Sequence, residues 1–212
     1  MTAVTFRVLA LSLAAFAGLA AGGAAHCTAV TVAVTSSTAG APPEDAILVF
    51  DPLDGTVAPG HAEAVIDQLA KQFVPKVTVL RTGTTVRFKN SDRMRHQVYS
   101  FSPAKNFTLK LSIGPLQQPV VFDKPGLVVL GCNIHDNMIA FVGVVDSPYF
   151  AKTPKSGSVT LNLPAGRYRL RVWHPNLSQS VAPREVTVSE ADMALALALD
   201  LSSSTPGATP WP

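Results

Sequence analysis

The run Pro125-Gly126-Leu127-Val128-Val129-Leu130-Gly131-Cys132-Asn133-Ile134-His135-Asp136-Asn137-Met138 decides how this chain is read. Its first half is an apolar, strand-like stretch opened by the turn residues Pro125 and Gly126. Its second half is a short loop carrying a thiol, an imidazole and a thioether, and a second apolar run follows over 139–145. Two strands joined by so short a loop bring all three donors to one end of a sheet. Closing around an ion needs a fourth group from another strand. His96 can supply it, because it begins the apolar run 97–101 directly after the polar turn Asn90-Ser91-Asp92-Arg93-Met94-Arg95.

A thiolate, two imidazoles and a thioether form the donor set of a blue-copper site, with Met as the long, weak axial ligand. Soft sulfur stabilises Cu(I) and imidazole suits Cu(II), so one rigid cage that tolerates both eases a one-electron change. Plainer readings remain open. A lone C-x-x-H is compatible with a buried thiol and a surface histidine, and Cys27 and Cys132 could form a disulfide in an oxidising compartment. A haem attachment site would need C-x-x-C-H. Zinc could occupy the same ligands, but a thioether suits it poorly.

Outward from this run the chain reads as all-β. Short apolar or alternating runs recur over 29–35, 46–50, 77–80, 84–88, 107–111 and 120–122, and again over 158–163, 168–173, 184–188 and 193–201. Turn pairs such as Asp54-Gly55, Thr82-Gly83 and Gly114-Pro115 separate them, which indicates a sandwich or barrel. One helix is expected, over 62–72, from Ala64, Ile66, Leu69 and Ala70. The segment Pro164-Ala165-Gly166 reads as a hairpin turn between two strands of one sheet. The tail 202–212, rich in Ser, Thr and Pro, is expected to be disordered.

Of 212 residues 47% are hydrophobic and only 15% charged, which excludes a disordered polymer. The net charge of +3 is small and no Lys/Arg stripe stands out, so nucleic acid is not an expected partner. Residues 1–25 have the layout of a secretory signal peptide: Arg7, an apolar run over 8–21, then Gly23-Ala24-Ala25 as a cleavage site. The expected location is the periplasm, with no membrane span in the mature form. No Ser-His-Asp arrangement, phosphate loop, dinucleotide fingerprint or paired-carboxylate site is present, so no catalytic residue is assigned. Asp51, Asp54 and Asp67 read as turn and solvent residues. His26 and His61 read as surface residues, and His174 as packed at a strand end.

At Val86-Arg87-Phe88-Lys89-Asn90 followed by His96, and at Pro125-Gly126 followed by Cys132, His135 and Met138, the sequence resembles the cupredoxin family. The two-residue gap between His135 and Met138 is similar to the short loop of amicyanins. Ile66-Asp67-Gln68 before Phe73-Val74-Pro75 resembles exported bacterial plastocyanin-like proteins labelled methylamine utilization proteins. The resemblance implies an eight-stranded Greek-key sandwich holding one copper ion through His96, Cys132, His135 and Met138. The chain departs from the pattern at Gln97, where cupredoxins commonly place Asn, and at Asp136 and Asn137, where amicyanins are apolar.

The segment 156–170 resembles the regulatory-like domain found beside carboxypeptidases, a small prealbumin-type sandwich, and 30–50 looks like its first half. The expected organisation is a discontinuous sandwich, 28–58 plus 148–201, with the copper domain inserted at 59–147. Two function classes follow. One is a single-electron carrier that docks with a redox protein, a dehydrogenase or a c-type cytochrome. The other is a copper-binding or sensing module without redox traffic, whose flanking sandwich binds protein or glycan. An enzyme is not expected, because four protein ligands leave no open position for substrate.

Overall fold

The computed structural model describes residues 27–38, 41–58, 60–110, 113, 118–202, 205–207 and 209–212; the expected signal peptide, 1–25, lies outside them. Among the described residues the regular elements are all strands. In chain order they are β1 (Cys27–Ser36), β2 (Ile47–Pro52), β3 (Glu63–Leu69), β4 (Gln72–Val74), β5 (Val77–Arg81), β6 (Thr84–Asn90), β7 (Tyr99–Ser102) and β8 (Lys105–Thr108). There follow β9 (Val120–Phe122), β10 (Gly126–Gly131), β11 (Ile139–Val145), β12 (Phe150–Lys152), β13 (Ser158–Pro164), β14 (Gly166–Trp173), β15 (Arg184–Val188) and β16 (Met193–Leu199). Among the described residues no helix is long and apolar enough to cross a membrane.

The strands form four sheets. The first two, β13-β1-β16 and β12-β2-β14-β15, draw on both ends of the chain. Their shared core holds Val30, Val32, Ile47, Phe50, Leu163, Leu170 and Trp173. The other two, β5-β11-β10-β7-β8 and β4-β3-β6-β9, come from the middle. Between them lie Ile66, Phe73, Phe88, Phe122, Leu130 and Val142. The alternation of side chains along a strand explains how the halves join. Val128 and Leu130 face the central core, while Leu127 and Val129 pack on the outer one. Both faces of the β5-β11-β10 part of the five-stranded sheet are therefore covered, which is why six of the seven residues of β11 are buried.

Three expectations give way here. Residues 62–72 form no helix but the strands β3 and β4, joined by the tight turn Ala70-Lys71. The inward face of β3 runs through Ile66 and the fully buried Gln68, so a polar residue masks the period of two. The Pro164-Ala165-Gly166 segment is not a hairpin: β13 pairs with β1 and β14 with β2, so the chain crosses between sheets there. In the tail 202–212, where disorder was expected, Thr209 is buried and Gly207, Trp211 and Pro212 are half-buried. Trp211 lies 5.9 Å from the Trp173 ring, the Thr209 carbonyl accepts the Trp173 indole N–H at 3.2 Å, and Gly207 donates to Pro175 O at 2.7 Å.

Candidate metal centre

The antiparallel ladder of β10 and β11 pairs Gly131 with Ile139, so the seven residues 132–138 form a loop whose two ends are fixed side by side. The Met138 amide donates to His135 O at 2.9 Å and tightens the loop further. His96 comes from the segment that leaves β6 of the four-stranded sheet and enters β7 of the five-stranded one. The two segments meet at the end of the central sandwich.

Three of the singled-out residues are brought together. The Sγ of Cys132 lies 3.8 Å from Nδ1 of His96 and 3.8 Å from Nδ1 of His135. One donor atom from each of the three falls within 4.8 Å of the others, and the two rings stand 4.9 Å apart. His96 is fully buried, Cys132 is buried and His135 is half-buried, so His135 is the one of the three that reaches solvent. Met138, 1% exposed, belongs to the same core cluster as Cys132. Cys27, exposed, and Cys132, buried, are not joined in a disulfide.

The donor spacing fits a metal ion. Bonds of about 2.3 Å to sulfur and 2.0 Å to nitrogen at a trigonal angle separate the two donors by roughly 3.7 Å. That matches the 3.8 Å contacts, which are long for hydrogen bonds. One buried thiol, two imidazoles and a thioether in the same core make a donor set suited to copper.

Asp92 also belongs to the site, although the sequence reading gave it no role. Its Oδ2 lies 2.7 Å from Nε2 of His96. Burial pushes the Asp92 carboxyl up, but the Lys71 amide, the His96 ring and the Ala70 amide together hold it below its ordinary value. The available signal was its position four residues before His96. Asp67 braces the same loop. Burial raises its carboxyl, and the Ser91 hydroxyl, the Gln68 amide and Lys89 outweigh that and lower it.

The remaining histidines stand apart. His61 is exposed, and His26 lies outside the described residues. His174 is buried beside Glu44 O at 3.0 Å, and desolvation lowers its pKa. Asp54 is exposed in a turn, as expected, with its carboxylate 2.9 Å from Arg167, whereas Asp51 lies in β2, half-buried, and bonds Arg171.

No family model and no curated protein matches the chain. Solved structures do. A Cu-containing nitrite reductase from Thermus scotoductus is 24% identical over 44% of this chain, with a TM-score of 0.36, and the match spans only 25% of that protein. A purple cupredoxin from Nitrosopumilus maritimus is 22% identical over 38% of this chain and 98% of its own, with a TM-score of 0.35. Amicyanin from Paracoccus versutus is 17% identical over 38% of this chain and 78% of its own, with a TM-score of 0.34. The likeness is to cupredoxins.

Proposed function

We propose that this chain is an exported type 1 copper protein that carries single electrons between redox partners, with His96, Cys132, His135 and Met138 as ligands. The observation that carries the reading is the convergence of one thiol and two imidazole nitrogens within 4.8 Å. Copper held there supplies a one-electron step between Cu(I) and Cu(II).

The protein's part is to keep the cage rigid and mostly dry. Cys132 leaves a strand buried on both faces, and His96 is sealed from water. His135 is the one nitrogen donor with an edge toward solvent, so it is the exit for the electron. Ile134 and Ile139 are exposed in and beside the same loop, and Met94 in the facing one, which gives a partner apolar surface to dock on. A dehydrogenase or a c-type cytochrome is the expected class of partner. Four protein donors leave no position for a substrate, which argues for a carrier and not an enzyme.

Residues 28–58 and 148–201 read as one sandwich interrupted by the copper domain at 59–147. Two features support this reading. β1 lies between β13 and β16, and the Phe50 amide donates to Tyr149 O at 2.8 Å, so the entry and exit of the inserted segment lie side by side. Insertions are tolerated at such points. With the leader expected at 1–25, the working compartment is the periplasm.

The test is the visible spectrum and voltammetry of the Cu(II)-loaded chain. Intense thiolate-to-copper absorption with a reversible one-electron wave is expected. A colourless, zinc-preferring protein would overturn the reading, and tight Cu(I) binding without electron exchange would move it to the binding-module class.

A further inference from the structure

Asp92 stands where two separate pieces of the chain meet. Its Oδ1 accepts the Ala70 amide at 2.7 Å and its Oδ2 the Lys71 amide at 2.9 Å, while Oδ2 also lies 2.7 Å from His96 Nε2. Ala70 and Lys71 are the central residues of the β3–β4 turn, with φ of 53° and 60°. That left-handed pair is one that Asn and Gly usually fill. Here the turn directs two amides at a single carboxylate instead. The Asp92 backbone is fixed as well: its amide donates to Asn90 Oδ1 at 3.0 Å and to Gln68 O at 3.2 Å. Asn90 Nδ2 in turn donates to Met94 O at 2.9 Å, two residues before His96.

We propose that Asp92 is the positioning residue of the metal centre, taking the Nε2–H of His96 and holding its Nδ1 lone pair toward the Cys132 sulfur. The inference rests on His96 being a ligand. A neutral imidazole has one N–H, so placing it on Nε2 leaves Nδ1 as the donor nitrogen. Nδ1 is the atom 3.8 Å from Sγ. An anionic acceptor behind the ring raises the basicity of the ligating nitrogen and so favours Cu(II) over Cu(I). Among the described residues His135 has no carboxylate partner, so the two imidazoles are unequal: one is buried and pinned, the other left adaptable at the surface. Because the same carboxylate caps the β3–β4 turn, the turn and the ligand are held by one group.

Asp67 provides the control. Its carboxylate serves the same loop, bonding Ser91 Oγ at 2.7 Å, the amides of Gln68 and Ser91, and Lys89, but no histidine. Asp92→Asn keeps an oxygen for the ring and removes the charge. It is expected to raise the reduction potential and weaken Cu(II) binding about 10-fold or more. Asp67→Asn, which removes charge from a group that bonds the same loop but not the ring, is expected to shift both much less than Asp92→Asn. Nitrogen-detected NMR of the metal-free chain at pH 8 reads the tautomer directly. Wild type and Asp92→Asn should carry the proton on Nε2 of His96, and Asp92→Ala should populate both tautomers. A wild-type proton on Nδ1, an Asp92→Ala tautomer identical to wild type, or equal potential shifts in the two Asn variants would each overturn the proposal. A wild type that fails to bind copper while the tautomers behave as stated would sink the copper reading and leave the orienting role of Asp92 standing.

Discussion

Replacing Cys132 with Ala separates a ligand from a core residue, because the two roles predict different energies. The side chain is 4% exposed and its sulfur touches two imidazoles. Removing it forfeits the burial of one atom about the size of a methylene, about 0.8 kcal/mol. A residual cavity of roughly 20 Å³ at about 24 cal/mol per Å³ adds about 0.5 kcal/mol. The metal-free variant should therefore be only about 1 kcal/mol less stable than metal-free wild type, and fully folded against a typical stability of about 5–15 kcal/mol. Copper changes the comparison. Free ion at 100 times its dissociation constant stabilises wild type by about 2.7 kcal/mol, whereas Cys132→Ala should gain little and show no colour. Urea unfolding by circular dichroism, with and without Cu(II), measures both differences, and an absorbance scan reads the charge-transfer band. A variant that keeps its colour would refute the ligand assignment. A metal-free loss near 4 kcal/mol would show that the thiol is primarily structural.

Three further outcomes follow from the packing and the charges. Trp211→Ala should cost about 2 kcal/mol, roughly half the loss for a fully buried Trp, because the half-buried ring lies on Trp173 and under the Arg171 guanidinium; an unchanged urea midpoint would show that the tail does not contribute. Gly131→Ala should cost about 1–3 kcal/mol by overpacking, since a Cβ there would lie 2.7 Å from Tyr99 Cζ, and the copper colour should survive in the folded fraction. Acid should destabilise the protein through Asp67 and Asp92, whose carboxyls are depressed in the fold. Such groups contribute stability above the ordinary value near 3.8 and lose it as pH falls through the lower folded value. The urea midpoint should thus drop below about pH 4, and Asp67→Asn should flatten that limb; a midpoint that holds down to pH 2.5 would contradict the sign.

Most strands were readable because their apolar residues alternate against a core, as in β6, where Thr84, Val86, Phe88 and Asn90 are buried in turn. The failures share one cause, a partner distant in sequence. In β3 the buried Gln68 fills an inward position, and its amide reaches Lys89 O at 3.0 Å on β6. Without β6 the segment shows only apolar residues at helix-like spacing. The tail looks like low-complexity chain until Trp173, Leu177 and Pro175 are placed beneath it. Of the three residues brought together, Cys132 and His135 were easiest to single out because one short loop carries them. The part of Asp92 was not legible, since it depends on a hairpin turn 21 and 22 residues upstream.

That difference explains how such a site is built. The loop of 132–138 is short enough that its donors are positioned by the β10–β11 ladder itself, and this ladder is rigid because side chains pack on both of its faces. The fourth donor segment enjoys no such support. The stretch between β6 and β7 is a polar loop, and its His96 would be free to turn without the bonds made by Asn90, Ser91 and Asp92 to Met94, Asp67 and the β3–β4 turn. Sequence proximity specifies one half of the centre, and a tertiary hydrogen-bond network specifies the other. Loosening the network should therefore disturb His96 while leaving the spacing of Cys132 and His135 intact.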